Sequence, residues 1–436
     1  MLTHFEISLC SHIVIVGFLG PAGSGKTFIY NTLIHLLKGR NETVLACAST
    51  GIAATLVIDG QTAHSLFKIP IPLNETSICR IKANSKEAKK IREAKLLIWD
   101  ETPMMPIQCF KTLNMLLQDL MNNEKIFGGK VCVLGGDFRQ LLPVIPRASR
   151  GMIVTSCLNQ NIDMWRKFTV FRLTENMRAG ANEKEFSEWL IKLGNGVLGD
   201  PFEVPEACYV EKGDPVTVLY GAKISPGDVS HYSKAILCST NQEALDINER
   251  VLEILEGEFT EYRSIDRTAD ADEYGQYPTE FLNSLTPMGM PPHRLTLKVG
   301  AVVMLLRNLN TKQGLCNGTR LAITRMHHVS LEAKIITGGK FEGNTVWIPR
   351  IALSPSDANL PFQLHRKQFP IRLSYAMTIN KSQGQTFDQI CINIPKPVFT
   401  HGQLYVAFSR VRTFDAVKLC GERVTRNIVY SDVLLQ

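Results

Sequence analysis

The chain has no apolar run long enough to cross a bilayer. Its longest candidates, residues 13–19 and 301–306, fall far short of the roughly 18 residues a span requires and read as buried strands. Glycine (31) and proline (21) are too few among 436 residues for a collagen-like or low-complexity chain. The eleven cysteines are scattered, and the closest two in sequence are Cys109 and Cys132. With no CxxC and no Cys/His cluster at zinc spacing, a disulfide scaffold and a zinc site are both excluded as organising principles. Free, buried thiols in a reducing compartment are expected instead. Residues 1–12 carry no Lys or Arg, so neither a secretory leader nor an Arg-rich mitochondrial presequence is expected.

What is present is an ordinary globular composition, 44% hydrophobic and 20% charged, in a chain long enough for about three domains. The net charge of +7 is unevenly placed. Residues 286–425 hold 18 basic and 6 acidic side chains, a balance of +12, which leaves −5 for the rest. Residues 256–280 hold 8 acids and 2 bases and read as a solvated excursion. A basic C-terminal third suits a polyanionic partner, or else a solvated surface.

Short β-branched runs alternate with helical patterns, which predicts an α/β fold with parallel sheets. Strands are expected at 13–19, 44–48, 94–99, 130–134 and 235–238, with a helix over 28–38 ended by Gly39. Polar clusters follow these strands at their C-terminal ends, where open α/β sheets bind ligands. Residues 295–370 are rich in Val, Ile, Thr and Gly with turns at Asn317-Gly318, Gly338-Gly339 and Gly343-Asn344, and read as a small antiparallel β insert.

GPAGSGKT, residues 20–27, matches G-x-x-x-x-G-K-[ST]. In that pattern the backbone of Gly20, Pro21, Ala22, Gly23, Ser24 and Gly25 wraps phosphate oxygens at a helix N-terminus, Lys26 reaches the β- and γ-phosphates, and Thr27 places a hydroxyl on Mg²⁺. LLIWDE, residues 96–101, ends a strand in two acids. Asp100 is assigned to Mg²⁺ and Glu101 to general-base work on a water, the bland alternative being a helix-capping acid. Gln140 follows the strand at 130–134, as a γ-phosphate detector or a polar loop residue. Arg178 and Arg410 are the remaining sources of positive charge for a developing γ-phosphate.

GPAGSGKT, ASTGIAAT (48–55), TAHSLF (62–67), IWDE (98–101), LGGDFRQLLPV (134–144), LTENMR (173–178), AMTINKSQGQT (376–386) and GQLYVAFSR (402–410) occur in the order of superfamily-one helicases. The chain resembles the petite-integration-frequency (Pif-type) DNA helicases, nearest the eukaryotic branch that includes Helitron transposon helicases. The resemblance implies two RecD/RecA-like lobes: 1–180, with a small strand-separating insert at 68–93, and 181–294 joined to 371–436. It makes 295–370 an SH3-like domain. It implies an ATP- and Mg²⁺-dependent 5′-to-3′ DNA helicase, monomeric when free, working on single-stranded and forked DNA in repair, recombination and telomere maintenance. A nuclear location is expected from that substrate, with the mitochondrion as the alternative.

By the same resemblance Gln140 is the γ-phosphate sensor, Arg178 and Arg410 are arginine fingers, and Gly384 lies toward the nucleotide. Thr50, Gly51, Thr62, His64 and Phe67 fall on the DNA side of the first lobe, and Thr378, Asn380, Lys381 and Gln383 on that of the second. Tyr375 and Phe408 read first as core and second as stacking residues. Family members carry an adenine-reading Gln upstream of the phosphate loop, and residues 1–12 have none. The alternative reading is therefore a shortened or decayed transposon helicase that binds DNA or nucleotide without unwinding.

Overall fold

The computed structural model describes residues 15–177, 183–211, 213–268, 277–287, 289–337, 339–355 and 360–434. They form two compact units. The first comprises residues 1–204, 397–413 and 424–436, and the second 205–396 and 414–423.

The first unit is built on a six-stranded, wholly parallel sheet. Its strands are β1 (Ile15–Leu19), β2 (Val44–Ala48), β3 (Gln61–Thr62), β4 (Leu96–Asp100), β5 (Val131–Gly136) and β6 (Thr169–Arg172), in the order β3-β2-β4-β5-β1-β6. Strand residues alternate between two buried faces. Val16, Phe18, Ala46, Ile98 and Val133 pack on Tyr30, Leu33, Ile34 and Leu37 of the helix Lys26–Gly39. Ile15, Leu45, Leu97, Trp99 and Leu134 pack on Phe110, Leu113 and Leu117 of the helix Ile107–Met121. Covering both faces is what makes these strands read as continuous apolar runs. Residues 68–93 contain the helix Lys86–Glu93 and contribute Ile69, Cys79, Ala88 and Ile91 to this second layer.

The second unit carries a four-stranded parallel sheet in the order Ala376–Thr378, Lys234–Cys238, Gln389–Ile394, Val417–Gly421. Its antiparallel part is a five-stranded sheet from Thr345–Pro349 through Ser330–Ile335, Arg320–Met326 and Val302–Leu305 to Ile371–Leu373. Antiparallel pairing begins earlier than composition indicates. Thr260–Arg263 pairs with Arg294–Leu297, and Ile265–Thr268 with Leu364–Gln368. Within the acidic stretch, Glu256, Glu258 and Glu280 are exposed, as a solvated excursion would have them, but residues 260–263 and 265–268 are strands. The reason is Asp266, fully buried against Arg366, whose guanidinium donates to both carboxylate oxygens at 2.9 and 2.6 Å and to the carbonyls of Pro291 and Leu282. Removing one partner of such a pair leaves the other charge buried and unpaired. Asp266→Ala is expected to destabilise the second unit by about 3–5 kcal/mol, read from its urea transition.

Segment 184–204, which holds the helix Lys184–Asn195, groups with the first unit, as do 397–413 and 424–436, whereas the resemblance places all three in the second lobe. Two strands, Phe202–Glu203 and Val424–Thr425, pair antiparallel within that unit. The ten cysteines among the described residues are free and buried, as expected. No helix among those residues is long and apolar enough to cross a membrane.

Candidate functional site

The C-terminal ends of β1, β4 and β5 bring the first unit's polar motifs together. After β1, the loop turns through Gly23 and Gly25, both at positive φ (82° and 84°). Gly25 is the N-cap of the helix Lys26–Gly39, a left-handed position where a side chain would be strained. Lys26 Nζ donates to the carbonyls of Gly20 (2.6 Å) and Pro21 (2.9 Å), which folds the lysine over the loop that presents it. The helix begins at Lys26 rather than Phe28, so Lys26 and Thr27 occupy its first turn, where orphan N–H groups and the dipole favour an anion. Gly39 is its last helical residue rather than the stop beyond it.

β4 runs one residue past the expected end, so Asp100 is in the strand and buried. One carboxylate oxygen accepts from the Tyr30 hydroxyl (3.3 Å) and the Glu101 N–H (2.9 Å). Burial raises the Asp100 pKa, and Lys26 opposes the rise. Glu101 has a left-handed backbone, φ 55°, costly for a non-glycine residue and typical of strain held at a working site. Burial, then the Asp100 charge, push its pKa up to about 7, while Lys26 and Arg410 pull it back. Two crowded carboxylates whose charged forms are disfavoured call for a cation. A hard ion held by Asp100, the Thr27 hydroxyl and phosphate oxygens fits this all-oxygen donor set, as Mg²⁺ sites use few protein ligands.

Gln140 is buried in the turn after β5, its N–H donating to Asp137 O (3.1 Å). Segment 397–413 locks that turn. Gly402 lies so close that a Cβ would stand 2.4 Å from Arg139 O. His401 accepts from the Tyr430 N–H at Nδ1 (2.8 Å), which leaves Nε2–H to donate to Phe138 O (2.8 Å). Burial pushes its pKa down to about 4, so the ring is neutral and structural. Tyr405 donates its hydroxyl to buried Asp137 (2.6 Å) and accepts from the Ala22 N–H (3.1 Å), tying phosphate loop, Gln140 turn and the helix Gln403–Phe408 together. Neither the helical pattern over 28–38 nor the motifs at 134–144 and 402–410 single out Tyr30, Asp137 or Tyr405. A lone buried Tyr carries no spacing signal. Arg410 is 5% exposed, donating from Nε to Val406 O (2.9 Å) and from Nη2 to Ser409 Oγ (2.6 Å), and its charge reaches Glu101. Arg178 lies outside the described residues.

The expected DNA-side residues divide. Thr50 and Thr62 cap short helices, their Oγ accepting from Ala53 N (3.2 Å) and Ser65 N (3.4 Å), with Gly51 opening the first of these helices and His64 half-buried in the second. Beside them Ser49 Oγ donates to Glu101 O (2.6 Å) and accepts from Trp99 Nε1 (3.2 Å), a direct bond between this motif and the acidic pair. Phe67 is a correction: it is 1% exposed and packs on Trp99, 6.1 Å between centroids, so it fills the core and presents no face to a base. Tyr375 and Phe408 are core as well. In the second unit Thr378, Asn380, Lys381, Gln383 and Gly384 lie on or beside the turn Ile379–Ser382 after a strand of the parallel sheet, with Gly384 at φ 80°.

Residues 9–203 match the family described as PIF1-like helicase, and residues 280–326 match the 2B domain of DNA helicase Pif1. The chain is 28% identical to an ATP-dependent DNA helicase Pif1 of Psychrobacter sp. (strain PRwf-1), the alignment covering 92% of this chain and 65% of that protein. It is 26% identical to the ATP-dependent DNA helicase PIF1 of Danio rerio, covering 93% and 58%. The chain thus spans somewhat less than two thirds of these two curated relatives. Among solved structures, a Bacteroides Pif1 bound to single-stranded DNA superposes with a TM-score of 0.69 at 25% identity, over 95% of this chain and 90% of that one.

Proposed function

We propose that the chain is a member of the Pif1-like helicase family and works as an ATP-dependent 5′-to-3′ DNA helicase acting on single-stranded and forked DNA. The observation that carries the reading is the cluster in the first unit where Lys26, Asp100, Glu101 and Arg410 act on one another's charge at the ends of β1 and β4. A binding module has no use for a strained, desolvated carboxylate beside two cations. Hydrolysis has a use for each.

The phosphate loop orients the triphosphate with its backbone N–H groups, and Lys26 exchanges its loop carbonyls for phosphate oxygens. Asp100 and the Thr27 hydroxyl would hold Mg²⁺, which would supply charge neutralisation to the bound triphosphate. Glu101 orients the attacking water and takes its proton, Gln140 senses the γ-phosphate, and Arg410 stabilises the charge that develops on it. Arg178 is proposed as a second such arginine. The Ser49–Glu101 bond is the route by which a strand gripped at Thr50, Gly51, Thr62 and His64 speeds hydrolysis. Thr378, Asn380, Lys381 and Gln383 supply the second unit's grip, and residues 68–93 the strand-separating element. We place the protein in the nucleus, with the mitochondrion as alternative, as a monomer serving repair, recombination and telomere maintenance.

The test is ATP hydrolysis by the purified chain with and without oligothymidine, beside Lys26→Ala. Stimulation by the strand that disappears in the variant is expected. Hydrolysis indifferent to DNA would point to another phosphate-loop enzyme and sink the helicase reading. Duplexes tailed at the 5′ or the 3′ end then test polarity, and unwinding from the 3′ tail would reverse it.

A further inference from the structure

Tyr405 stands where the phosphate-facing parts of the first unit meet, and the proposed function gives it no task. Its hydroxyl donates to Asp137 Oδ2 (2.6 Å), in the turn that holds Gln140, and accepts from the Ala22 N–H (3.1 Å) in the phosphate loop. Burial, and then the Asp137 charge, hold the phenol protonated, which fixes the direction of the first bond. The helix Gln403–Phe408 then leads directly to Arg410, whose N–H donates to Ala407 O (3.2 Å). The arginine's Nε is anchored on Val406 O (2.9 Å), the carbonyl that follows Tyr405 in the chain.

The ring is held as firmly as the hydroxyl. A Cβ at Gly194 would stand 2.8 Å from Tyr405 Cδ2 and 2.8 Å from Arg139 Cδ, so the helix Lys184–Asn195 lays bare backbone against both side chains. A Cβ at Gly402 would meet Arg139 O at 2.4 Å and Gln140 O at 2.9 Å. Asp137 is 1% exposed, and its Oδ1 accepts from the Arg139 N–H (3.1 Å) and from Arg139 Nη1 (3.2 Å). Arg139 Nε in turn donates to Asn195 Oδ1 (2.8 Å). Buried polar groups joined in this way support one another, and each loses more than a single bond when one donor goes. Propping the fold needs no more than one of the two Tyr405 bonds. The hydroxyl makes both, to groups 383 and 268 positions away, and each belongs to a segment that faces the phosphates.

Resting on the proposed hydrolysis, we propose that Tyr405 is a positioning residue: its hydroxyl keeps Gln140 and Arg410 in register with the phosphate loop, and that register is what separates a nucleoside triphosphate from a diphosphate. Lys26 and the loop N–H groups serve either nucleotide. Gln140 and Arg410 serve only the γ-phosphate. With the hydroxyl gone, the loop still binds, but the groups that meet the third phosphate are no longer fixed against it. A displacement on the order of 1 Å in such groups costs roughly 10²-fold in rate.

The experiment uses the full chain with oligothymidine. It compares Tyr405→Phe, Tyr405→Phe with Asp137→Asn, Arg410→Ala, and Tyr405→Phe with Arg410→Ala. Steady-state hydrolysis is measured beside the affinities of a fluorescent non-hydrolysable ATP analogue and of fluorescent ADP. Tyr405→Phe is expected to lower kcat by roughly 10²-fold. It should weaken the triphosphate analogue about tenfold, the worth of one or two buried hydrogen bonds, and leave ADP affinity unchanged. Its kcat loss should not multiply with that of Arg410→Ala, because both act on the same contact with the γ-phosphate. Adding Asp137→Asn removes the carboxylate left without its donor, so thermal stability should partly return while turnover stays low. That double variant also keeps the test open if Tyr405→Phe alone folds poorly.

A folded Tyr405→Phe with wild-type kcat and an unchanged preference for triphosphate over diphosphate would overturn the proposal. So would equal weakening of both nucleotides, which makes Tyr405 a plain support of the loop, or turnover that returns together with stability in the double variant. If the wild type hydrolyses ATP without regard to oligothymidine, the helicase reading fails. If the strand stimulates the wild type and Tyr405→Phe matches it, only the role of Tyr405 fails.

Discussion

Arg410→Ala is expected to cut DNA-stimulated ATP hydrolysis by roughly 10³-fold or more at saturating ATP, the scale set by arginines that meet a transferring phosphoryl group. The side chain is held for that task. Only 5% of the residue is exposed, Nε and Nη2 are anchored on Val406 O and Ser409 Oγ, and its charge already acts on Glu101. An anchored guanidinium needs little reorganisation when charge develops on the γ-phosphate, which is where electrostatic catalysis gains most. The loss should fall on kcat, with the ATP KM moving far less, because the phosphate loop and Lys26 supply most ground-state binding. Arg410→Lys should recover little, since a point charge lacks the two anchoring donors and the planar fork. Steady-state kinetics on both variants, each matched to wild type in its thermal transition, decides the matter. A kcat within tenfold of wild type in Arg410→Ala would remove this arginine from the reaction and leave Arg178 as the candidate.

The sequence carried the parallel core because its strands are buried on both faces. A run such as LLIWDE announces a covered strand through its apolar residues and a working end through its acids. The phosphate loop was legible for a similar reason: its spacing answers to local backbone geometry, which Gly23 and Gly25 then adopt. What was not legible depends on contacts between distant residues. Tyr405 binds Asp137 across 268 positions, and Asp266 meets Arg366 across 100, so neither pair has a spacing to find. The second case departs from expectation in part, since Glu256, Glu258 and Glu280 are exposed and Asp266 is not. A stretch with 8 acids reads as solvated, and only the buried guanidinium explains why one acid draws its strand into a sheet. Phe67 misled in the opposite sense. It stands in a motif attributed to DNA contact, yet Trp99 and the apolar layer behind β4 claim its ring. An aromatic in a binding motif is decided by which face of its short helix turns inward, and five residues give too little periodicity to tell.

Glu101→Gln is the sharpest separation of binding from chemistry available in this site. The amide keeps the size of the carboxylate and removes its ability to take a proton, so hydrolysis should fall on the order of 10²–10⁴-fold, the usual worth of a positioned general base. ATP affinity should hold or rise, because the substitution removes one of two crowded carboxylates facing an anionic ligand. Burial and the Asp100 charge push Glu101 up to about 7, so its charge is held at a cost that the amide does not incur. The left-handed backbone at position 101 is shared by glutamate and glutamine, and the Ser49 Oγ bond is made to the main-chain carbonyl, so neither should be disturbed. Asp100→Asn offers the contrast. It should weaken Mg²⁺-dependent nucleotide binding as well as hydrolysis, and it leaves the Tyr30 hydroxyl beside an amide in place of a carboxylate. Titrating a fluorescent ATP analogue into each variant, alongside single-turnover hydrolysis, reads the two losses apart. Equal loss of binding and turnover in Glu101→Gln would return Glu101 to a structural role and pass the general-base task to a residue elsewhere. Retained binding with lost turnover would also yield a trapped ATP-bound state, on which the grip of Thr50, Thr62 and Lys381 on single-stranded DNA can be measured without hydrolysis resetting it.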